Sequence, residues 1–142
     1  MSHTRALKTL TYAGAVTVTE AAASESLRIG VPVCIAVCDV SGHPILTARL
    51  DGAPFAGNGI AIDKARTVVG FNGFATGEWW ASIKDDPALV HGITHTPGLT
   101  IFGGGLGLFE DAVLVGAIGV SGGSTAEDES VAEAGAYAIG AR

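Results

Sequence analysis

The placement of glycine constrains this chain more than any other feature of it. Of its 142 residues, 21 are glycine, about twice the ~7% share of an average protein, and they follow no period, which excludes collagen and solenoid repeats. They gather at Gly103, Gly104, Gly105 and Gly107, and again at Gly116, Gly119, Gly122 and Gly123. Glycine serves where main chain takes a positive φ or comes very close to another group. Two readings follow: the clusters line a site with backbone N–H groups, or they form tight turns packed against neighbours.

The remaining composition bounds the function classes. Hydrophobic residues make up 48% and charged residues 15%, enough apolar material for one core and too little charge for disorder. The length suits a single domain spanning 1–142. Eight Lys+Arg against 14 Asp+Glu give a net charge of −6, and no basic cluster exists. A nucleic-acid partner and a polybasic membrane anchor are therefore excluded. No stretch approaches the ~18 consecutive apolar residues of a membrane span, and Met1–Arg5 leads into a Thr-broken stretch unlike a signal peptide. The expected address is the cytoplasm. Cys34 and Cys38 read as two buried hydrophobes on one strand, too far apart there to bond to each other.

Apolar and small residues at Leu7, Leu10, Ala13, Gly14, Thr17, Ala21 and Ser24 recur at helical spacing and predict a helix over 4–29, closed by Gly30 and Pro32. The run 33–37 predicts a buried strand, and 43–50 its hairpin partner across the Asp39–Gly42 turn. Helices are expected over 58–70, after Thr76 through Trp79 and Trp80, and from Asp86-Pro87 onward. Strands are expected at 99–102 and 113–120. Thr125 and Asp128 resemble a capping box for a last helix to about 139. This order predicts an α+β domain, an antiparallel sheet covered by helices.

Several residues carry candidate chemistry. The segment Gly119-Val120-Ser121-Gly122-Gly123 matches G-x-S-x-G, but no histidine follows His95 and the chain is too short for the hydrolase fold. Consecutive N–H groups from Ser121 to Ser124, at the start of a helix, suit a carboxylate, or alternatively only cap that helix. The Gly103-Gly104-Gly105 run is neither a Rossmann fingerprint nor a P-loop. His91 and His95 stand four apart without the glutamate of H-E-x-x-H. They suit an axial haem ligand or a general acid/base better than a zinc site, or are simply exposed loop histidines. Lys64 interrupts an apolar helix face, pairing there with a ligand carboxylate if it points into a cleft and snorkelling if it points outward. Among Glu127, Asp128, Glu129 and Glu133, either Glu127 or Asp128 is a candidate general base. Arg49 and Asp51 are placed to pair with each other. Trp79 and Trp80 suggest a ligand edge or an oligomer contact.

Taken together, Ile35-Ala36-Val37 with Asp39 and Gly42, Arg49-Leu50-Asp51-Gly52, Lys64-Ala65, Gly103-Gly104-Gly105-Leu106, Gly116 through Gly122, Asp128-Glu129 and Ala134-Gly135 resemble the GlcG/HbpS-like family. That domain type is also found at the C-terminus of PduO-type corrinoid adenosyltransferases. The resemblance covers nearly the whole chain. It implies a profilin-like α+β fold and homo-oligomers from dimer to octamer. Some members bind haem or act in redox sensing, and others are linked to cobalamin chemistry or to small-molecule catabolism. The chain departs from the family pattern at Gly107, where proline is usual, and the N-terminal extension that carries haem-related residues in some relatives is expected to be short or absent. His91 and His95 rest on their spacing alone.

The primary expectation is a small-ligand-binding protein that holds an anionic planar ligand, haem being the first candidate cofactor. Gly103, Gly104, Gly105, Ser121, Gly122 and Gly123 would form the cleft, with Lys64 as counter-charge and no metal bound by the protein itself. The alternative is a cofactor-independent isomerase, lyase or hydrolase acting on a small carboxylate or carbonyl compound, using Lys64, His91, His95, Glu127 or Asp128. A third reading, a scaffold subunit, rests only on the apolar composition and the tryptophan pair.

Overall fold

In a computed structural model, which describes residues 1–140, the chain forms one four-stranded antiparallel sheet between helices. The elements run α1 (Tyr12–Ile29), β1 (Cys34–Asp39), β2 (Pro44–Arg49), α2 (Gly57–Gly70), a 3₁₀ turn (Thr76–Glu78), α3 (Trp79–Ile83), α4 (Pro87–Ile93), β3 (Gly105–Glu110), β4 (Val113–Ser121) and α5 (Thr125–Tyr137). The strand order is β2-β1-β4-β3, so the hairpin built from consecutive strands 1 and 2 joins the hairpin of strands 3 and 4 through β1 and β4. The predicted α+β class, with an antiparallel sheet flanked by helices, is what the chain adopts.

Alternation along the strands gives the sheet two unlike faces. Val33, Ile35, Val37, Ile118 and Val120 point one way and meet Val18, Ala22 and Val131 of α1 and α5 in the main core. The opposite face carries Cys34, Ala36, Cys38 and Ala117, against Ala61, Ala65 and Val68 of α2. This second face consists of small residues, and so α2 rides close to the strands.

Four boundaries differ from the sequence expectation, each for a local reason. Helix α1 starts at Tyr12 rather than residue 4, because the Thr11 side chain accepts from Gly14 N at 3.0 Å while Leu10 N donates to Val115 O. No strand forms over 99–102. Thr100 N is tied to the Thr67 hydroxyl on α2 at 3.0 Å, and the strand begins at Gly105, within the glycine run. Thr76 does not cap α3; its buried hydroxyl instead accepts from Gly105 N at 2.8 Å and fixes the start of β3. The capping box of α5 is Ser124 with Glu127, one residue before the expected pair. Elsewhere the expected pieces hold, including Asp86 as the cap of α4 ahead of Pro87 and Gly30 in the left-handed conformation that closes α1.

Both cysteines are free and buried, and burial pushes the Cys38 thiol up to about 11. An unfolded thiol ionises near 9.0, so between those values the folded chain keeps a proton that the unfolded chain releases. Stability should therefore fall as pH rises through that window, by about 1.4 kcal/mol per pH unit. Urea denaturation of wild type and Cys38→Ala at a series of alkaline pH values isolates this contribution. The stability difference between the two proteins should shrink from pH 9 upward, and a constant difference would remove the assignment.

Candidate functional site

The two glycine clusters do converge, and Lys64 lies where they meet. Gly105 pairs with Gly119 across β3 and β4, and Val120 N donates to Gly104 O at 2.9 Å. Lys64 is 1% exposed. Its Nζ donates to Val120 O at 2.7 Å and to Asp128 Oδ2 at 3.2 Å, with the Phe102 ring centroid 4.9 Å away. The other Asp128 oxygen accepts from Gly123 N at 2.9 Å.

In this arrangement the donors of the predicted cleft already have partners within the chain. The nest of N–H groups before α5 exists, but the carboxylate that fills it belongs to Asp128. Gly123 N–H is taken by that residue, and Ser124 N–H is taken by Glu127 Oε1 at 2.8 Å. Ser121 is buried at the end of β4, opposite Cys34. The Lys64 ammonium likewise has its counter-charge inside the fold, so it neither snorkels nor waits for a ligand carboxylate. Burial is the largest influence on both partners, lowering Lys64 and raising Asp128, against the pull of each on the other.

The glycines at this junction admit protein rather than ligand. A β-carbon on Gly104, which has φ +122°, would stand 2.8 Å from Lys64 Nζ. One on Gly103 would meet Thr125 and Glu129, and one on Gly122 would lie 2.8 Å from Pro32 O. The cavity of about 220 Å³ beside Gly105 is lined by Glu78, Glu129 and Glu133, which repel an anion. Glu127 is held below the usual carboxylate range by the Ser124 backbone N–H and serves the helix cap.

Open space lies just beyond the C-terminal end of α2, beside α3 and α4. A cavity of about 510 Å³ is walled by Phe71, Trp79, Leu89, Ile93 and Leu99, within the size range of small-molecule sites. Phe71 stands edge-on to Trp79 at 4.7 Å between centroids, and the Trp79 indole N–H has no acceptor among the described residues. A second, polar cavity of about 330 Å³ shares the walls Phe71 and Leu99 with the first. Exposed Phe71, Trp80 and Leu89 extend the apolar surface outward.

The two histidines fall on different local structure, His91 within α4 and His95 in the turn after it. Helix α4 turns Leu89, Gly92 and Ile93 toward the apolar cavity. At 100° per residue, roughly, this leaves His91 on the solvent side. His95 follows in the turn after α4, exposed and next to Thr96, which lines the cavity. Among the described residues no group of three metal-binding side chains occurs, and none of the salt bridges joins Arg49 to Asp51; Arg49 reaches Ala53 O instead. The indole pair divides as well: Trp79 is in the cavity wall and Trp80 is exposed. Among the described residues no helix is long and apolar enough to cross a membrane.

Comparison with known proteins agrees with this fold. The family model described as haem degrading protein HbpS-like matches residues 10–137. The chain is 32% identical over 134 residues to an uncharacterised 15.0 kDa protein of Citrobacter freundii from the dhaT-dhaS intergenic region, covering 94% of each chain. It is 34% identical over 125 residues to the corrinoid adenosyltransferase PduO of the same organism, covering 87% of this chain but only 37% of PduO. The crystal structure of a PduOC–haem complex superposes with a TM-score of 0.84 at 31% identity, over 92% of this chain and 95% of that one.

Proposed function

The chain belongs to the HbpS-like family, and on that premise we propose that it binds an anionic planar ligand of the haem type in the apolar cavity between α3, α4 and the residue that follows α2, Phe71. The observation that carries this reading is the cavity itself, about 510 Å³ with Phe71, Trp79 and Leu99 in its walls. Aromatic walls suit a flat apolar ring. The haem complex of the related PduOC supports the ligand class. The residues present fit such a group: apolar walls for its faces, an indole N–H without an acceptor in the wall, and exposed His95, next in sequence to the lining residue Thr96, as the candidate iron ligand. Bound haem would supply a redox-active iron there. The protein's part is to hold the ring, exclude water from its faces and offer one imidazole.

This reading moves the ligand off the glycine run and leaves Lys64 and Asp128 as structural groups. Titration of the purified chain with haemin should give a saturable Soret shift with one equivalent bound per chain, together with quenching of tryptophan fluorescence. His95→Ala should weaken binding about tenfold or alter the band position, whereas His91→Ala should leave both unchanged. A Trp79→Leu variant that bound haemin as well as wild type would exclude the cavity. An unresponsive titration of wild type would exclude the ligand. Homo-oligomers are also part of the proposal, with the exposed Trp80 and Leu89 surface as the contact.

A further inference from the structure

Helix α2 presents two basic residues to opposite sides. Lys64 faces the sheet and is closed off by Asp128, whereas Arg66, two positions on, is exposed and lines the polar cavity. Among the described residues Arg66 takes part in none of the salt bridges, while Lys8, Arg28 and Lys64 all do. Among the described residues it is also the one basic side chain lining any of these four cavities. We propose that Arg66 is the carboxylate anchor of the ligand site, holding an acidic arm of the ligand in the polar cavity while the apolar ring occupies the cavity next to it. This inference rests on the ligand reading above and adds the residue that selects for the acid.

The geometry favours one end of the polar cavity. A β-carbon on Gly42 would stand 3.8 Å from Arg66 Nε, so the guanidinium lies against the β1–β2 turn. A β-carbon on Gly98 would stand 3.5 Å from Asp63 Oδ1, so this carboxylate, one helical turn before Arg66, lies against the Pro97-Gly98 part of the wall. An incoming carboxylate is drawn toward Arg66 beside Gly42 and repelled by Asp63 beside Gly98. The Thr67 hydroxyl is already committed, donating to Asp63 O at 2.7 Å and accepting from Thr100 N at 3.0 Å. The guanidinium fork is therefore the main unspent donor, and its planar geometry matches a carboxylate in a two-bond contact. Phe71 and Leu99 belong to both cavities, so the two adjoin at these side chains, and a ring with a short acidic arm would reach from one to the other there. A ligand that was only apolar would use one cavity, and a small free acid only the other.

Binding of haemin and of haemin dimethyl ester, measured side by side by absorbance on the full chain, tests this directly. Wild type should prefer the diacid by about tenfold, the value of one charge-assisted contact. Arg66→Ala should lose that preference while binding the diester as wild type does, and Arg66→Lys should keep part of it. Asp63→Asn should strengthen haemin binding and leave the diester unaffected. Arg66 is exposed, so these variants should show unchanged circular dichroism and urea midpoints. Equal binding of diacid and diester by wild type, or a preference that survives in Arg66→Ala, would overturn the anchor and leave the ring-binding reading standing. Wild type that binds neither compound overturns both.

Discussion

Asp128→Ala should destabilise the folded chain by about 3–5 kcal/mol, the cost of leaving a buried charge without its partner. Lys64 is 1% exposed, and without Asp128 its ammonium keeps only the Val120 carbonyl among its hydrogen-bond partners. The same substitution strips Gly123 N–H of its acceptor. Three elements are joined through these contacts: α2 by Lys64, the end of β4 by Val120 and the first turn of α5 by Asp128. A lower urea midpoint with an unchanged slope would report the loss cleanly. Lys64→Met should be milder, because Asp128 retains the backbone donor of Gly123 and a carboxyl already raised by burial can take up a proton. A raised folded-state value favours the fold at low pH and loses that advantage as pH climbs through it. The Lys64→Met deficit should therefore be smallest near pH 4 and full at neutrality. The double variant Lys64→Met/Asp128→Leu should recover most of the stability, since apolar residues of similar volume often replace a buried pair without loss. If Asp128→Ala cost less than about 1 kcal/mol, the pair would be solvated and the enclosed cradle described above would be wrong.

Lys64 also shows what could and could not be read from the sequence. A lysine within Ile60, Ile62, Ala65 and Val68 is anomalous on an apolar helix face, and that signal was real. The identity of its carboxylate partner was not legible, because Asp128 lies 64 positions away and its companion acids are exposed or partly so. The same difficulty moved the capping box: both Ser124-x-x-Glu127 and Thr125-x-x-Asp128 fit the pattern, and the second carboxylate was already required by Lys64. The β1–β2 hairpin, the Asp86-Pro87 start of α4 and the α+β class were legible because each depends on neighbours in sequence. The 99–102 segment was not, since a short apolar run is compatible with a strand until its amide bonds are known, and Thr100 spends its own on Thr67. Arg66 carried no signal at all, because an arginine on a helix reads as a solvated face. The cavities are assembled from α2, α3, α4 and the 96–99 segment, and no local pattern announces them. Trp79 was the single wall residue that stood out.

Gly119→Ala should cost about 3 kcal/mol or more, at or above the upper end of the overpacking range. Gly119 lies on the central strand β4, paired with Ala36 on one side and Gly105 on the other. A β-carbon there would overlap the Ala61 carbonyl oxygen and stand 2.8 Å from Ala65 N. Those are backbone atoms of α2, so no flexible side chain can swing aside, and a close-packed interior transmits the displacement. Lifting α2 would stretch the Lys64–Val120 contact and reshape the cavities that Arg66 and Phe71 line, so stability and ligand binding should fall together. Gly59→Ala is the matched control within the same helix. Its β-carbon meets nothing within 4 Å, and replacing a helical glycine by alanine should stabilise by up to about 1 kcal/mol. Opposite signs for the two glycines would place the close approach of α2 at Gly119. A Gly119→Ala protein with unchanged stability but lost ligand binding would instead mean that the glycine lines a ligand, and the cleft first read from the sequence would be restored.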